Sequence, residues 1–227
     1  TLPSKLAKIE GTVFRNCPSL KTITCLALTP PEMRADGTTF NGFDRSQCTL
    51  IVPQGCSSAY RSAEGWHDFG EIVELPDIKD GDFWFKINGN AATLIASADK
   101  SSFVGNVYIP SSVTSNSGLT LAVTAMTDSA FADCLTLTSV TIPGSVKVPG
   151  MYVFRGCKNL TSATLQNGIP YVDTGMFRDC ENLTSVSIPE SVTHIWSVAF
   201  DGCKSLTSLT LPSKLAKIEG TVFRNCP

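Results

Sequence analysis

The chain has 227 residues, 42% of them hydrophobic and 17% charged, with a formal net charge of −2. The apolar fraction supports a real core, while charge falls below the roughly 25% usual in soluble proteins. Near-neutrality argues against a nucleic-acid binder held by phosphate contacts, and no apolar run approaches the ~18 residues of a membrane-spanning helix. No Met opens the chain and nothing at Thr1 has the pattern of a signal peptide, so the sequence reads as a processed or trimmed product.

In chain order, the first segment is Thr1–Pro18, TLPSKLAKIEGTVFRNCP. Next, Cys48-Thr-Leu-Ile-Val-Pro53 reads as a strand and Ser57–Ala63 as a short helix. Gly65-Trp66, Phe69 and Ile72 follow. This stretch, about residues 46–75, reads as a C-terminal cap whose aromatic residues cover the last coil of a stack. A polar linker, Pro76-Asp-Ile-Lys-Asp80, comes next. Phe83-Trp-Phe-Lys-Ile87 and Ala92-Thr-Leu-Ile-Ala96, joined through Asn88-Gly89-Asn90, predict a β-hairpin with a glycine turn. It leads into Val107-Tyr-Ile-Pro110, an irregular first rung, and reads as an N-terminal cap.

A strict period of 23 residues then sets in. Phe recurs at 131, 154, 177, 200 and 223, Cys at 134, 157, 180, 203 and 226, and Leu at 137, 160, 183 and 206. Such a period, with an L-x-x-L-x-L core as in Leu206-Thr-Ser-Leu209-Thr-Leu211, is the signature of a leucine-rich-repeat solenoid. Each unit is a short inward-packing strand, a second apolar pair (Val146 and Pro149, Ile169 and Val172, Val192 and Ile195, Leu215 and Ile218), and a turn that carries Phe and Cys inward. Four or five buried apolar side chains per rung give of order 10 kcal/mol gross, nearly all of it dependent on a neighbouring rung. The expected fold is therefore α/β to mostly β: a right-handed solenoid of 23-residue repeats with an N-terminal hairpin cap and a C-terminal short-helix cap. The cysteine ladder reads as reduced, buried thiols acting as small apolar residues, because stacked side chains pointing the same way fit the disulfide dihedral poorly.

The last eighteen residues, Thr210–Pro227, repeat Thr1–Pro18 residue for residue. The caps also come in inverted order. Three accounts are open: a window on tandem near-identical modules, a circular permutant with an overlapping segment, or fragments joined at a repeat. Eight or nine rungs span ~40 Å, whereas five linker residues reach at most ~18 Å, which disfavours the permutant. The preferred division is residues 1–75 as the last repeats and C-terminal cap of one module, 76–80 as linker, and 81–227 as the N-terminal cap and repeats of the next. Leu211, Leu215, Ile218 and Phe223 would then present an apolar edge, and head-to-tail self-association through the duplicated segment is expected.

The unit I-P-x-S-V-x-x-I-x-x-x-A-F-x-x-C-x-x-L-T-S-V resembles the BspA-like leucine-rich-repeat family of bacterial surface proteins. Ile188-Pro-Glu-Ser-Val192, Ile195, Ala199-Phe200 and Cys203 through Ser208 carry the match most fully. Val52-Pro53, Gly55, Ala59-Tyr60, Ala63, Gly65-Trp66 and Phe69 resemble the family's C-terminal cap. The resemblance implies an exported, cell-surface protein with an adhesive role toward host proteins or other cells. Where the family often has Gly after the inward Ile, this chain has Asp173, Trp196 and Glu219.

Catalytic and metal signals are sparse, and no cofactor is expected. His67-Asp68 invites a triad reading, yet no G-x-S-x-G elbow accompanies it. Cys56 could be an exposed thiol but needs a His partner. Asp80-Gly-Asp82 is a fragment of a calcium loop without the remaining oxygen ligands. The strand faces carry a hydroxyl ladder: Ser139 and Thr141, Ser162 and Thr164, Ser185 and Ser187, Ser208 and Thr210, with Thr22 and Thr24 earlier. Such arrays resemble ice-binding solenoids, but small hydroxyls also simply suit an exposed parallel sheet. The sharper candidate is a row that the register stacks: Val148, Tyr171, His194 and Lys217 in one column, Asp173 and Trp196 two positions on. Exposed aromatics beside polar groups are frequent binding hot spots; alternatively Trp196 folds down as a lid. The expected function is a non-enzymatic binding module for a host or microbial surface protein or glycan, with a ligand-free envelope spacer as the alternative.

Overall fold

The computed structural model describes residues 1–33, 38–75, 77–95, 100–115 and 118–227. Two compact units divide the chain: residues 1–77 with 86–91, and residues 78–85 with 92–227. Short strands dominate both, and among the described residues the one α-helix is Ser57–Ser62.

In the second unit, Gly105–Tyr108, Leu137–Ile142, Ser162–Leu165 and Ser185–Ser187 form one parallel sheet. From Leu137–Ile142 onward its register is the sequence period: Ser139 lies opposite Ser162 and Ser162 opposite Ser185, with Val140, Ala163 and Val186 in the next column. Alternation along each strand sends Val140, Ile142, Ala163 and Leu165 into the core. A second parallel sheet joins Tyr171–Val172, His194–Ile195 and Lys217–Ile218, again in register at one period.

The turn of each rung explains the Phe and Cys ladders. Phe131, Phe154, Phe177 and Phe200 are buried, and from Phe131 to Phe223 successive rings stack 5.3 to 5.6 Å apart. Backbone bonds hold the turns together from rung to rung: Phe154 N donates to Met176 O at 2.9 Å and Phe177 N to Ala199 O at 2.8 Å. The thiols of Cys157, Cys180, Cys203 and Cys226 donate to the carbonyls of Phe131, Phe154, Phe177 and Phe200 at 3.1 to 3.2 Å. Each cysteine is thus a small apolar filler whose weak donor is also satisfied. All nine cysteines are free thiols. Burial pushes the Cys157 and Cys203 thiols up to about 12.

Each turn also needs a left-handed corner. Asp133, Gly156, Asp179, Gly202 and Asn225 occupy it, all at positive φ, and these are the residue types that adopt it most readily. A Cβ on Gly156 would lie 2.2 Å from Asp133 Oδ1, and one on Gly202 2.6 Å from Asp179 Oδ1. The acidic side chain of one rung therefore covers the glycine of the next.

The hairpin is part of a five-stranded sheet, ordered Ser112–Thr114, Thr120–Met126, Ala91–Ile95, Phe83–Asn88, Ile78–Asp80. Its turn is Gly89-Asn90, with Gly89 at φ +61. The segment read as a linker differs from expectation: Ile78–Asp80 is a strand antiparallel to Phe83–Phe85. The reason is apolar. Ile78 sits opposite Phe85 and both are buried. Asp80 and Asp82 flank the tight turn at Gly81, φ +58, which accounts for them without a cation. Pro76 and Ala96, included in the expected linker and hairpin, lie outside the described residues.

In the first unit, Lys8–Ile9 pairs in parallel with Glu32–Met33, and Thr22–Thr24, Thr49–Val52 and Glu71–Glu74 form a three-stranded parallel sheet. Tyr60, Trp66, Phe69 and Phe40 make a buried aromatic cluster. Its polar tips are satisfied: Tyr60 OH donates to Ala27 O at 2.8 Å and Trp66 Nε1 to Pro31 O at 2.8 Å. Cys56, whose exposure the sequence left open, is buried at the start of the helix.

Candidate ligand-binding face

Inward packing of Val172 and Ile195, both fully buried, turns Tyr171 and His194 outward on the second parallel sheet. Tyr171, His194 and Lys217 stand in strict register. Val148 does not join them. It makes an isolated parallel bridge to Ala125 instead, because Pro149 follows it and cannot donate to a ladder.

Trp196, two residues past His194 and so on the same face, is the hub of the row. The His194 ring stacks on it at 6.0 Å and 20°, and Tyr171 meets it edge-on at 6.3 Å. Lys217 Nζ lies 5.5 Å from the indole centroid, within cation–π reach. Lys217 also pairs with Glu219 at 2.8 Å, and Ser197 Oγ donates to Glu219 Oε2 at 2.9 Å. The Lys217 and Ser197 hydrogen bonds hold the Glu219 carboxyl below its ordinary range. Burial raises both Tyr171 and Asp173. The row thus presents aromatic faces bordered by one cation and two carboxyl groups. Trp196 is partly buried, so the exposed and lid-like readings both describe part of it.

The hydroxyl ladder is shorter than expected. Ser139, Ser162 and Ser185 align, as do Thr141, Thr164 and Ser187. The sheet ends at Ser185–Ser187, so Ser208 and Thr210 lie outside it. Thr22 and Thr24 sit on a separate sheet, opposite Thr49 and Ile51. Sequence reasoning missed Tyr108, 69% exposed and in register with Thr141. Its position in Val107-Tyr-Ile, an outward residue between two inward ones, was the available signal.

His67 and Asp68 line a pocket of ≈ 550 Å³ in the first unit, with Met33, Phe40, Arg45 and Trp66. His67 Nε2 faces Asp68 Oδ1 at 3.0 Å and Nδ1 faces Ala63 O at 3.0 Å. Arg45 takes the other Asp68 oxygen at 2.6 Å. Each ring nitrogen thus faces a protein oxygen.

A family model described as the BspA type leucine rich repeat region matches residues 1–30 and 100–227 in six copies. The chain belongs to this BspA-type leucine-rich-repeat family. Among solved structures, the chain is similar to a leucine-rich repeat protein of T. pallidum, TpLRR, at 24% identity and TM-score 0.56, covering 66% of this chain and 67% of that one. That likeness supports the leucine-rich-repeat solenoid fold. A leucine-rich repeat protein from Bacteroides capillosus matches at 24% identity over 67% of this chain and 93% of its own, TM-score 0.44. A leucine rich cell surface protein from Faecalibacterium prausnitzii matches at 24% identity over 63% and 50%, TM-score 0.37. No curated protein sequence matches the chain. Among the described residues no helix is long and apolar enough to cross a membrane, and no cluster of three or more metal-ligating side chains occurs.

Proposed function

We propose that the chain is a non-enzymatic, exported binding module of the cell surface, whose ligand docks across Tyr171, His194, Trp196 and Lys217. The ligand is a host or microbial surface protein or glycan. The supporting observation is the mutual contact of three rings and a lysine on strands anchored by fully buried Val172 and Ile195. Such a row is pre-organised, so little side-chain entropy is lost when a ligand covers it. Aromatic faces with flanking polar groups suit both protein hot spots and the apolar faces of sugars. Family membership supports interaction and surface association as the general role.

The second reading, a ligand-free spacer, draws on the partial burial of Trp196. Titration of the purified chain against arrays of defined glycans and purified surface proteins separates the two. The binding reading expects saturable binding that falls at least tenfold in the triple variant Tyr171→Ala, His194→Ala, Trp196→Ala, with an unchanged far-UV spectrum. Absence of any saturable ligand supports the spacer, and undiminished binding by the triple variant places the site elsewhere.

A further inference from the structure

The first parallel sheet of the second unit has an edge at Gly105–Tyr108, which pairs on one side only, with Leu137–Ile142. Gly105 N donates to Thr136 O at 2.9 Å and Ile109 N to Thr141 O at 3.0 Å. In a parallel ladder alternate residues turn both their N–H and their C=O to the same neighbour. The N–H and C=O groups of Asn106 and Tyr108 therefore point away from the sheet. No hydrogen bond joins these main-chain groups to the rest of the chain. Both residues are exposed.

The edge is also apolar. Tyr108, 69% exposed, and Val104, 67%, are the most exposed large hydrophobic side chains among the described residues. A Cβ on Gly105 would meet nothing within 4 Å. Gly105–Tyr108 contains no charged residue and no proline, the devices that ordinarily keep a strand edge from pairing. Beside it lies a hollow of ≈ 170 Å³ lined by Asp82, Phe83, Phe103, Val107 and Tyr108 among others, with Asp82 its one charged residue. Phe103 ties the hollow to the core: it is buried, 5.4 Å from the Phe83 ring and 4.9 Å from Phe131, where the Phe ladder begins. Asp82 itself is exposed.

We propose that Gly105–Tyr108 receives an extended segment of a partner protein as a further strand of this sheet. Hydrogen-bond complementarity specifies the occupant. Asn106 and Tyr108, two residues apart, each offer one donor and one acceptor in the plane of the sheet, and the main chain of another strand matches that spacing in either direction. Val104 and Tyr108 supply apolar area on which its side chains pack. A side chain that enters the hollow meets Asp82 and Phe83, which suit a basic head and its aliphatic stem. The segment is therefore one of alternating apolar and basic residues. This edge lies on a different sheet from Tyr171, His194 and Lys217, so the two surfaces can be tested apart.

Fluorescence anisotropy with labelled hexapeptides tests this on the whole chain. The alternating valine–lysine peptide VKVKVK should bind saturably. The same peptide N-methylated at every amide keeps its side chains but not its donors, and should bind at least tenfold more weakly. VEVEVE should likewise bind at least tenfold more weakly, and Asp82→Asn should narrow that difference. Tyr108→Pro removes an N–H that carries no ladder bond, so Tm should stay close to that of wild type while binding is lost. Tyr108→Ala keeps the N–H and should retain saturable binding. If Tyr108→Pro unfolds the chain, the methylated peptide decides without it. The triple variant Tyr171→Ala, His194→Ala, Trp196→Ala should bind VKVKVK as wild type does. No saturable binding of VKVKVK up to millimolar concentration overturns the proposal. So does undiminished binding of the methylated peptide, of VEVEVE, or of VKVKVK by a folded Tyr108→Pro chain. Loss of VKVKVK binding in the triple variant also overturns it, because the peptide would then sit on the aromatic row.

Discussion

Replacing Phe177 by Ala removes a ring that is fully buried and stacked on both Phe154 and Phe200 at 5.6 Å. Transfer and cavity together place the loss at about 3–5 kcal/mol, including two ring contacts of roughly 0.5–1.5 kcal/mol each. Phe223 occupies the same repeat position but is 40% exposed and stacks on Phe200. With one such contact and part of the area, Phe223→Ala should cost about 1–2 kcal/mol. In a stack of rungs stability is the sum of nearest-neighbour interfaces, so a central ring should count at least twice an outer one. Urea unfolding followed by circular dichroism reads both values. Equal losses for the two variants, or a loss below about 1 kcal/mol for Phe177→Ala, would refute the stacked-rung energetics.

Other outcomes follow from the turns. Gly156→Ala forces a Cβ onto a left-handed corner and to within 2.2 Å of Asp133 Oδ1, and should destabilise by about 1–3 kcal/mol, measured by the same melts. Conversely, Val198, a β-branched residue at φ 54, should gain from Val198→Asn, raising Tm by roughly 2–4 °C per kcal/mol of relieved strain; an unchanged or lowered Tm contradicts this. Thiol counting should find Cys157, Cys180 and Cys203 unreactive until the chain is denatured, whereas partly exposed Cys17 and Cys226 react first. Because burial raises the folded-state values of Cys157 and Cys203 to about 12, the unfolded chain loses these protons first. Stability should therefore decline as pH climbs from the free-thiol range of about 8.5 toward 12. Asp201 is buried and accepts from Arg224 at 2.6 and 3.1 Å and from Asn225 at 3.1 Å. The Arg224 guanidinium holds its carboxyl below the usual range, so its contribution is present above about pH 4 and lost as pH falls through the lowered value. Asp201→Asn should cost about 1–3 kcal/mol at neutral pH and flatten the acid limb of the stability curve.

The period made most of the second unit legible, because one rung's pattern fixes the register of the next: Tyr171, His194 and Lys217 align by arithmetic, and the strands place them so. What the period could not show is where a side chain turns once it reaches the surface. The packing of Trp196 against three neighbours depends on side-chain torsions, and the Asp201–Arg224 pair, although its members stand one period apart, depends on a burial of Asp201 that the period does not give. Ile78–Asp80 was hidden for another reason. One apolar residue among charges carries no alternation, and its strand exists because Phe83–Phe85 offers an edge. Ser208 and Thr210 show the converse: the repeat pattern continues there while the paired sheet stops.

The proposed binding face can be watched directly through its indole. The chain has three tryptophans: Trp66 is buried and bonded to Pro31, Trp84 packs near Lys79, and Trp196 is the hub of the row. With 5-fluorotryptophan incorporated, fluorine NMR should give one resonance for each, assigned by Trp84→Phe and Trp196→Phe. Titration with a ligand identified by the array should shift the Trp196 resonance in a saturable manner and leave that of Trp66 in place. A ligand that saturates the chain without moving the Trp196 resonance would contradict the assignment of this face.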